Sequence, residues 1–164
     1  MLVGHLPSAY LAFKYLAPAR WGTAGLIAGM IGGVFPDIDM IWFHTIGERA
    51  THHHNYITHR PVLYLGVLCA AFLWSAATRR SGAVGTAFAL GALLHLVLDS
   101  VAGKIAWGWP FSNWAQPVTV VRPTHDHWAL SFMAHWYFWV EIGVLLAAIV
   151  IFLNSRNRSG KTNP

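Results

Sequence analysis

At 164 residues the chain has the length of one domain, and 55% of it is hydrophobic while only 10% is charged. A soluble domain carries roughly 25% charged residues, so the composition excludes an ordinary water-soluble fold and points to the membrane. The net charge of +5 is scattered over loops and ends without a basic stripe, which argues against nucleic acid as a partner and leaves Lys and Arg as topology signals.

Two short apolar segments come first, Leu6 to Ala17 (LPSAYLAFKYLA) and Gly22 to Phe35 (GTAGLIAGMIGGVF). As helices at about 1.5 Å per residue they measure roughly 18–21 Å, short of the roughly 30 Å hydrocarbon core, so their ends are expected below one membrane surface. The amino terminus lacks a positive start and a clean cleavage site, and Lys14 interrupts the apolar run; a removable signal peptide is not expected. Pro36 ends the second helix in VFPDIDMIW, with Asp37 and Asp39 just beyond. Read as extended chain beyond the helix end, the pair is expected to supply one direct ligand, and Asp37, next to the helix end, is the better choice. Taken alone, the motif would equally serve as a solvated Asx turn.

The polar loop that follows holds HHHNYITHRP, in which His52, His53, His54 and His59 are four of the chain's ten histidines, beside Tyr56 and Arg60. His54 and His59 can converge from a turn, and His59, at the start of the next helix, is expected to look inward. His52 and His53 fit a solvated loop.

Three full-length apolar segments complete the chain: Val62 to Thr78, Ala83 to Ala102 and Leu130 to Asn154. Each is close to or beyond the roughly 20 residues that cross a bilayer as helix. Cys69, the sole cysteine, excludes an intramolecular disulfide and reads as a small core residue. In the second span His95 and Asp99 are i and i+4, on one helix face about one turn apart. An imidazole and a carboxylate at that spacing suit Zn²⁺; the bland alternative is a hydrogen-bonded pair tying two helices together, but ionisable groups within spans are costly and usually functional. In the third span His127, Ser131 and His135 recur at four-residue spacing, as ligands or as members of an aromatic belt with Trp128, Trp136, Tyr137 and Trp139. His135 and Glu141 lie about 120° apart round the helix, so they should not share an ion, and Glu141 reads as a supporting partner. The expected architecture is all-α: one membrane-embedded domain over residues 1–154, a bundle of about five helices with two short and three full-length, then a disordered polar tail over 155–164.

Threading these helices through a bilayer puts His5, Asp37, Asp39, His44, the His52–His59 cluster, Asp99, His125 and His127 on one face, with His95 one turn deeper. The opposite face holds Arg20, Arg79, Arg80, Arg156, Arg158 and Lys161, against Arg49, Arg60, Lys104 and Arg122 on the histidine-rich face. By the positive-inside rule the histidine-rich face is then extracytoplasmic.

The motifs GHL (Gly4 to Leu6), PDID (Pro36 to Asp39), H-x-x-x-T-H (His54, Thr58, His59), HLVLD (His95 to Asp99) and WPF (Trp109 to Phe111), in this order, resemble the YdjM-type family of predicted membrane-bound metal-dependent hydrolases of the bacterial inner membrane. That family is in turn thought to be distantly similar to zinc-dependent phospholipase C and P1-type nuclease. The resemblance implies metal ligands at His5, Asp37, His59, His95 and Asp99, with His54 close behind, and a hydrolase. Asn55, Tyr56 and Arg60 stand where the family often has Arg, Gly and Ser, so the loop shape differs while both histidines and Thr58 survive. A late H-x-x-x-D/E pair is missing, since Trp139 is the fourth residue after His135; that favours one or two ions over three.

The expected activity is hydrolysis of a phosphoester or lipid-related substrate at the membrane, with water activated by one or two divalent ions, most simply Zn²⁺. Asp39 and His54 are the nominated catalytic side chains, with Arg60, helped by Arg122, gripping phosphate oxygens. The competing class is a non-catalytic membrane metal-binding or transport protein, which would spread polar groups across the bilayer depth. Bis-histidine haem ligation by His95 and His135 is a third reading, and it leaves the acids unexplained.

Overall fold

A computed structural model describes residues 3–47, 52–78 and 81–159, all helix, turn or coil. Among the described residues seven α-helices follow in order: α1 (His5–Tyr15), α2 (Gly22–Gly32), α3 (Asp39–Thr45), α4 (Pro61–Thr78), α5 (Ala83–Ala102), α6 (Trp128–Met133) and α7 (Trp136–Ser159). Short 3₁₀ turns at Phe35–Ile38, His53–Asn55 and Ile57–His59 carry much of the polar sequence. Three stretches are long and apolar enough to cross a membrane, Pro61–Thr78, Ala83–Ala102 and Trp136–Asn157. The chain is an all-α membrane bundle in which α1, α2, α4, α5 and α7 correspond to the five expected helices.

The expected second helix is broken. It stops at Gly32, bends by 50° and continues through the 3₁₀ turn into α3. Asp37 and Asp39 therefore sit on helical turns directly after a break, not on the extended chain assumed from the sequence. The last span is broken too: α6 ends at Met133, and α7 restarts at Trp136 after the Nδ1 of His135 accepts the Tyr137 amide at 3.3 Å. Helix α7 then runs on to Ser159, so 155–159 are helical rather than disordered, while 160–164 lie outside the described residues. Arg49, Arg79, Arg80 and Lys161, counted above for topology, also fall outside them. Cys69 is exposed on α4 and not in the core, because α4 turns most of its apolar surface outward.

Small residues set the spacing of the bundle. A Cβ added to Gly32 would lie 2.0 Å from the Phe88 carbonyl oxygen, and one added to Gly91 would lie 2.1 Å from that of Gly29. Helices α2 and α5 thus meet backbone to backbone. Lipid tails are as apolar as leucine, so close van der Waals approach through small residues is what holds such helices together. Gly91, His95 and Asp99 recur every four residues on α5, and all three are buried, so the stripe that touches α2 also carries the polar pair.

Helix α1 is tied to α7 at both ends. The Glu141 carboxylate accepts the Val3 and Gly4 amides at 2.8 and 3.1 Å, satisfying donors at the start of α1, which otherwise lacks a side-chain cap. At the other end Lys14 donates to the Ser155 hydroxyl at 2.6 Å and to Tyr10 at 3.0 Å. The two helices run in the same direction, and His5 is placed at the end that Glu141 holds.

The glycine contacts yield opposite signs for the same chemical change. Gly91→Ala should destabilise by about 1–3 kcal/mol through overpacking. Gly66→Ala, where an added Cβ meets nothing within 4 Å, should be neutral or stabilising by up to about 1 kcal/mol. Thermal unfolding of the detergent-solubilised variants checks both; equal midpoints would exclude backbone contact as the bundle's spacer.

Candidate metal centre

Three segments far apart in sequence deliver one cluster. Asp37 comes from the turn after α2, His59 from the turn before α4, and His95 and Asp99 from α5; one ligand atom of each lies within 4.8 Å of all the others. His95 Nε2 stands 3.1 Å from Asp99 Oδ2 and 3.6 Å from Asp37 Oδ1. His59 Nε2 stands 3.5 Å from Asp99 Oδ2 and 3.8 Å from Asp37 Oδ1. His5 joins through the other oxygen of Asp99, Nε2 to Oδ1 at 3.1 Å, and its ring stacks on that of His95 with centroids 3.6 Å apart. Four of the five residues nominated as ligands thus lie within reach of one ion, and His5 touches the group through Asp99 and the ring of His95. All are buried except Asp37, whose side chain is 37% exposed.

The histidines are oriented from behind. His95 Nδ1 lies 2.9 Å from the Gly33 carbonyl oxygen, which only accepts, so Nδ1 carries a hydrogen and the ring turns Nε2 toward the cluster. That carbonyl is at the α2 break, where the helix no longer uses it. His59 Nδ1 lies 2.6 Å from Asp39 Oδ2, and its Nε2 likewise faces the cluster. Both Nε2 atoms are buried and turned toward the carboxylate oxygens of Asp37 and Asp99. A carboxylate or backbone carbonyl behind each imidazole is the usual support of a metal-binding histidine.

The spacing suits an ion as well as the donor set does. Ligands roughly 2.0–2.2 Å from a tetrahedral Zn²⁺ stand roughly 3.3–3.6 Å from one another. The four imidazole–carboxylate distances here span 3.1 to 3.8 Å. Two imidazoles and two carboxylates match zinc or a similar divalent ion, and a second, overlapping group of Asp39, His53 and His59 leaves room for the expectation of one or two ions.

A family model described as YdjM inner membrane protein matches residues 1–159. The chain belongs to the YdjM inner membrane protein family. No curated protein and no solved structure matches it.

In this YdjM family member the three residues nominated for catalysis have different surroundings. Asp39 is 6% exposed and is engaged by His59 and by the Thr58 hydroxyl at 2.5 Å, so it holds the histidine that faces the cluster. His54 lies with Nε2 3.4 Å from Asp99 Oδ2, in space that exists because residue 103 is glycine: a Cβ there would lie 2.4 Å from His54 Cε1. Arg60 turns aside, donating to the Asn55 carbonyl at 2.9 Å and resting 5.8 Å from the centre of the Trp109 ring. Its guanidinium is thus engaged within the histidine loop and against Trp109.

A cavity of about 870 Å³ opens beside Asp37, His54 and Asp99, walled by the segment between α5 and α6. Among the described residues Lys104 is the cation lining it, whereas Arg60 and Arg122 do not line it. His53, assigned to a solvated loop from sequence, points its Nδ1 toward Asp39 Oδ1 at 3.6 Å, with a side chain 20% exposed. No periodicity could reveal that, since it depends on the fold of the 3₁₀ turns. The late histidines are caps. His127 Nδ1 accepts the Ala129 amide at the start of α6, His135 does the same for α7, and Ser131 accepts the Thr124 and His125 amides. With Nε2 of His135 at 3.3 Å from the Thr119 hydroxyl and His95 in the cluster, the two do not form a haem pair.

Electrostatics couples this site to pH. Burial disfavours a charge on His59, but hydrogen bonds to the Asp39 and Asp99 carboxylates outweigh it and raise the pKa from 6.5 to about 9. Burial holds His54 far below its ordinary value, so it is neutral at pH 7. The folded-state pKa of His59 exceeds the unfolded one, so its proton stabilises the metal-free fold fully below about pH 6.5, and that contribution is gone once pH passes about 9. A cation must displace the same proton. Divalent-metal affinity should therefore rise between pH 6.5 and 9 by up to about tenfold per unit. Asp39→Asn should flatten that rise and weaken binding by about 10–100-fold. Competition titration with a chromophoric chelator measures both, and a pH-independent affinity would contradict the assignment of His59.

Proposed function

We propose that the protein is a membrane-bound metal-dependent hydrolase acting on a phosphoester. The observation that carries this reading is the pair of buried Nε2 atoms, each backed by an acceptor on Nδ1, converging with two carboxylates at the wall of an open cavity. His59, His95 and Asp99 would hold the ion, with His5 supporting Asp99 and Asp37 standing uncoordinated beside them. A divalent cation bound there lowers the pKa of water toward about 7 and polarises the scissile bond.

The remaining roles fall to this chain's own groups. Asp37 is half-exposed and lines the cavity, so its carboxylate is placed to take the proton of the attacking water. The water oxygen bonds to phosphorus, the ester P–O bond breaks, and the proton passes to the departing alkoxide. Neutral His54 orients the water, Lys104 offsets the charge of the phosphate oxygens, and Asp39 acts through His59. The burial of His5, His59, His95 and Asp99 restricts water to the cavity side.

A binding or transport role draws support from the His52, His53 and His54 group, which could hold an ion at the cavity mouth. Against a transport path, Glu141 caps α1 at the metal end and Lys14 is bonded to Ser155 at the other, leaving no ladder of polar groups between them among the described residues. The charge distribution favours an extracytoplasmic site; a reporter fused to the carboxyl terminus should then report the cytoplasm, and extracytoplasmic activity would reverse the orientation.

Metal analysis of purified wild type beside His95→Ala and Asp99→Ala tests the reading, coupled to headgroup release from mixed lipids. Wild type should carry metal and release headgroup, and both variants should lose the metal and at least about 100-fold of the rate, the scale of a lost essential group. Equal metal content in all three would remove the site; metal without hydrolysis in wild type would favour the binding role.

A further inference from the structure

We infer that the segment between α5 and α6, residues 103–127, is a platform seated in the membrane interface, and that the substrate is a phosphoester-bearing lipid entering the cavity from the leaflet. The second half rests on the hydrolase reading; the first does not.

Depth comes from the hydrogen bonds of the segment. The Val118 amide donates to the Ser100 carbonyl at 3.0 Å and the Thr119 amide to that of Val101 at 2.7 Å, satisfying carbonyls in the last turn of α5. Helix α5 is a 20-residue apolar span, roughly 30 Å long, the thickness of the hydrocarbon core. Its last turn therefore lies at the boundary between hydrocarbon and headgroups, and the segment bonded to it lies at the same level.

The surface chemistry fits that level. Exposed polar side chains such as Asn113, Arg122 and Asp126 stand beside Phe111, 97% exposed, Val118, 80%, and Trp114, 72%, the mixture of polar and apolar groups that suits the headgroup level. An apolar surface of this kind marks a docking site, and tryptophan concentrates at membrane interfaces. The segment is continuous with the spanning helices, so the bilayer itself is the occupant. Val120 and Trp128 both line the cavity and face outward, carrying the apolar surface from the leaflet into the cavity wall. Lys104 on the same wall supplies the positive charge that an anionic headgroup requires. Acyl chains would lie along Val118 and Val120 while the phosphate reaches toward Asp37 and Asp99.

Position can be read without activity. In a Cys69→Ala background, Phe111→Cys labelled with bimane and reconstituted into phosphatidylcholine vesicles should be quenched strongly by brominated acyl chains and weakly by aqueous iodide. Strong iodide quenching with little effect of bromine would overturn the platform. Phe111→Asp with Val118→Asp should lower the ratio of turnover on phosphatidylglycerol in those vesicles to turnover on soluble bis(p-nitrophenyl) phosphate by at least tenfold, with metal content unchanged. An unchanged ratio, or wild type cleaving only the soluble ester, would overturn the lipid substrate while leaving the hydrolase in place. Wild type that holds metal and cleaves neither would remove the hydrolase reading and the lipid substrate together, and the quenching result would still decide the platform.

Discussion

The backbone contact between α2 and α5 is the constraint on which the rest depends. Gly32 on one helix and Gly91 on the other let the main chains touch, leaving no room for a side chain between them. Only at that distance does the Gly33 carbonyl reach the imidazole of His95, one turn beyond Gly91. The break in α2 at the same place frees that carbonyl from helix bonding and turns the chain so that Asp37 and Asp39 follow at once. One close approach thus sets the orientation of a histidine, the position of two carboxylates and the packing of the membrane core.

The cluster itself is expensive in isolation. Asp37, Asp39 and Asp99 lie within one small volume, and Asp39 and Asp99 are almost wholly buried. Removing a carboxylate from water costs several kcal/mol even after relaxation, and neighbouring carboxylates repel. The histidines supply hydrogen bonds, and the proton held by His59 offsets part of the negative charge. A divalent cation would offset more, and it is the kind of partner for which such a buried arrangement makes physical sense. Support from Asp39, Gly33 and Glu141 then explains why so many polar groups outside the cluster are committed to orientation.

The membrane reading of the exposed surface follows the same logic. Apolar side chains face outward along α4, α5 and α7 because lipid, not water, surrounds them. Where the chain leaves the helices between α5 and α6, that character persists, and the segment closes one wall of the cavity while hydrogen-bonding to the end of α5. A site reached through such a wall meets membrane-borne molecules before it meets those dissolved in water.

Much of this was legible in the amino-acid order. Apolar runs of bilayer length determine spanning helices because unsatisfied backbone is intolerable in lipid, and the four-residue step from His95 to Asp99 places both on one helix face whatever surrounds them. The motifs around Asp37, His59, His95 and Asp99 carry the residues that the fold brings within 4.8 Å of one another. What periodicity could not supply was anything decided between segments. The break at Gly33, the capping roles of His127, His135 and Glu141, the turning of Arg60 toward Trp109 and the recruitment of Lys104 and His53 all depend on which backbone atoms are left without partners once the helices have packed. Sequence determined which residues were costly to place in a membrane; tertiary structure decided which of them would face one another, because hydrogen-bond satisfaction is settled only when all the neighbours are in place.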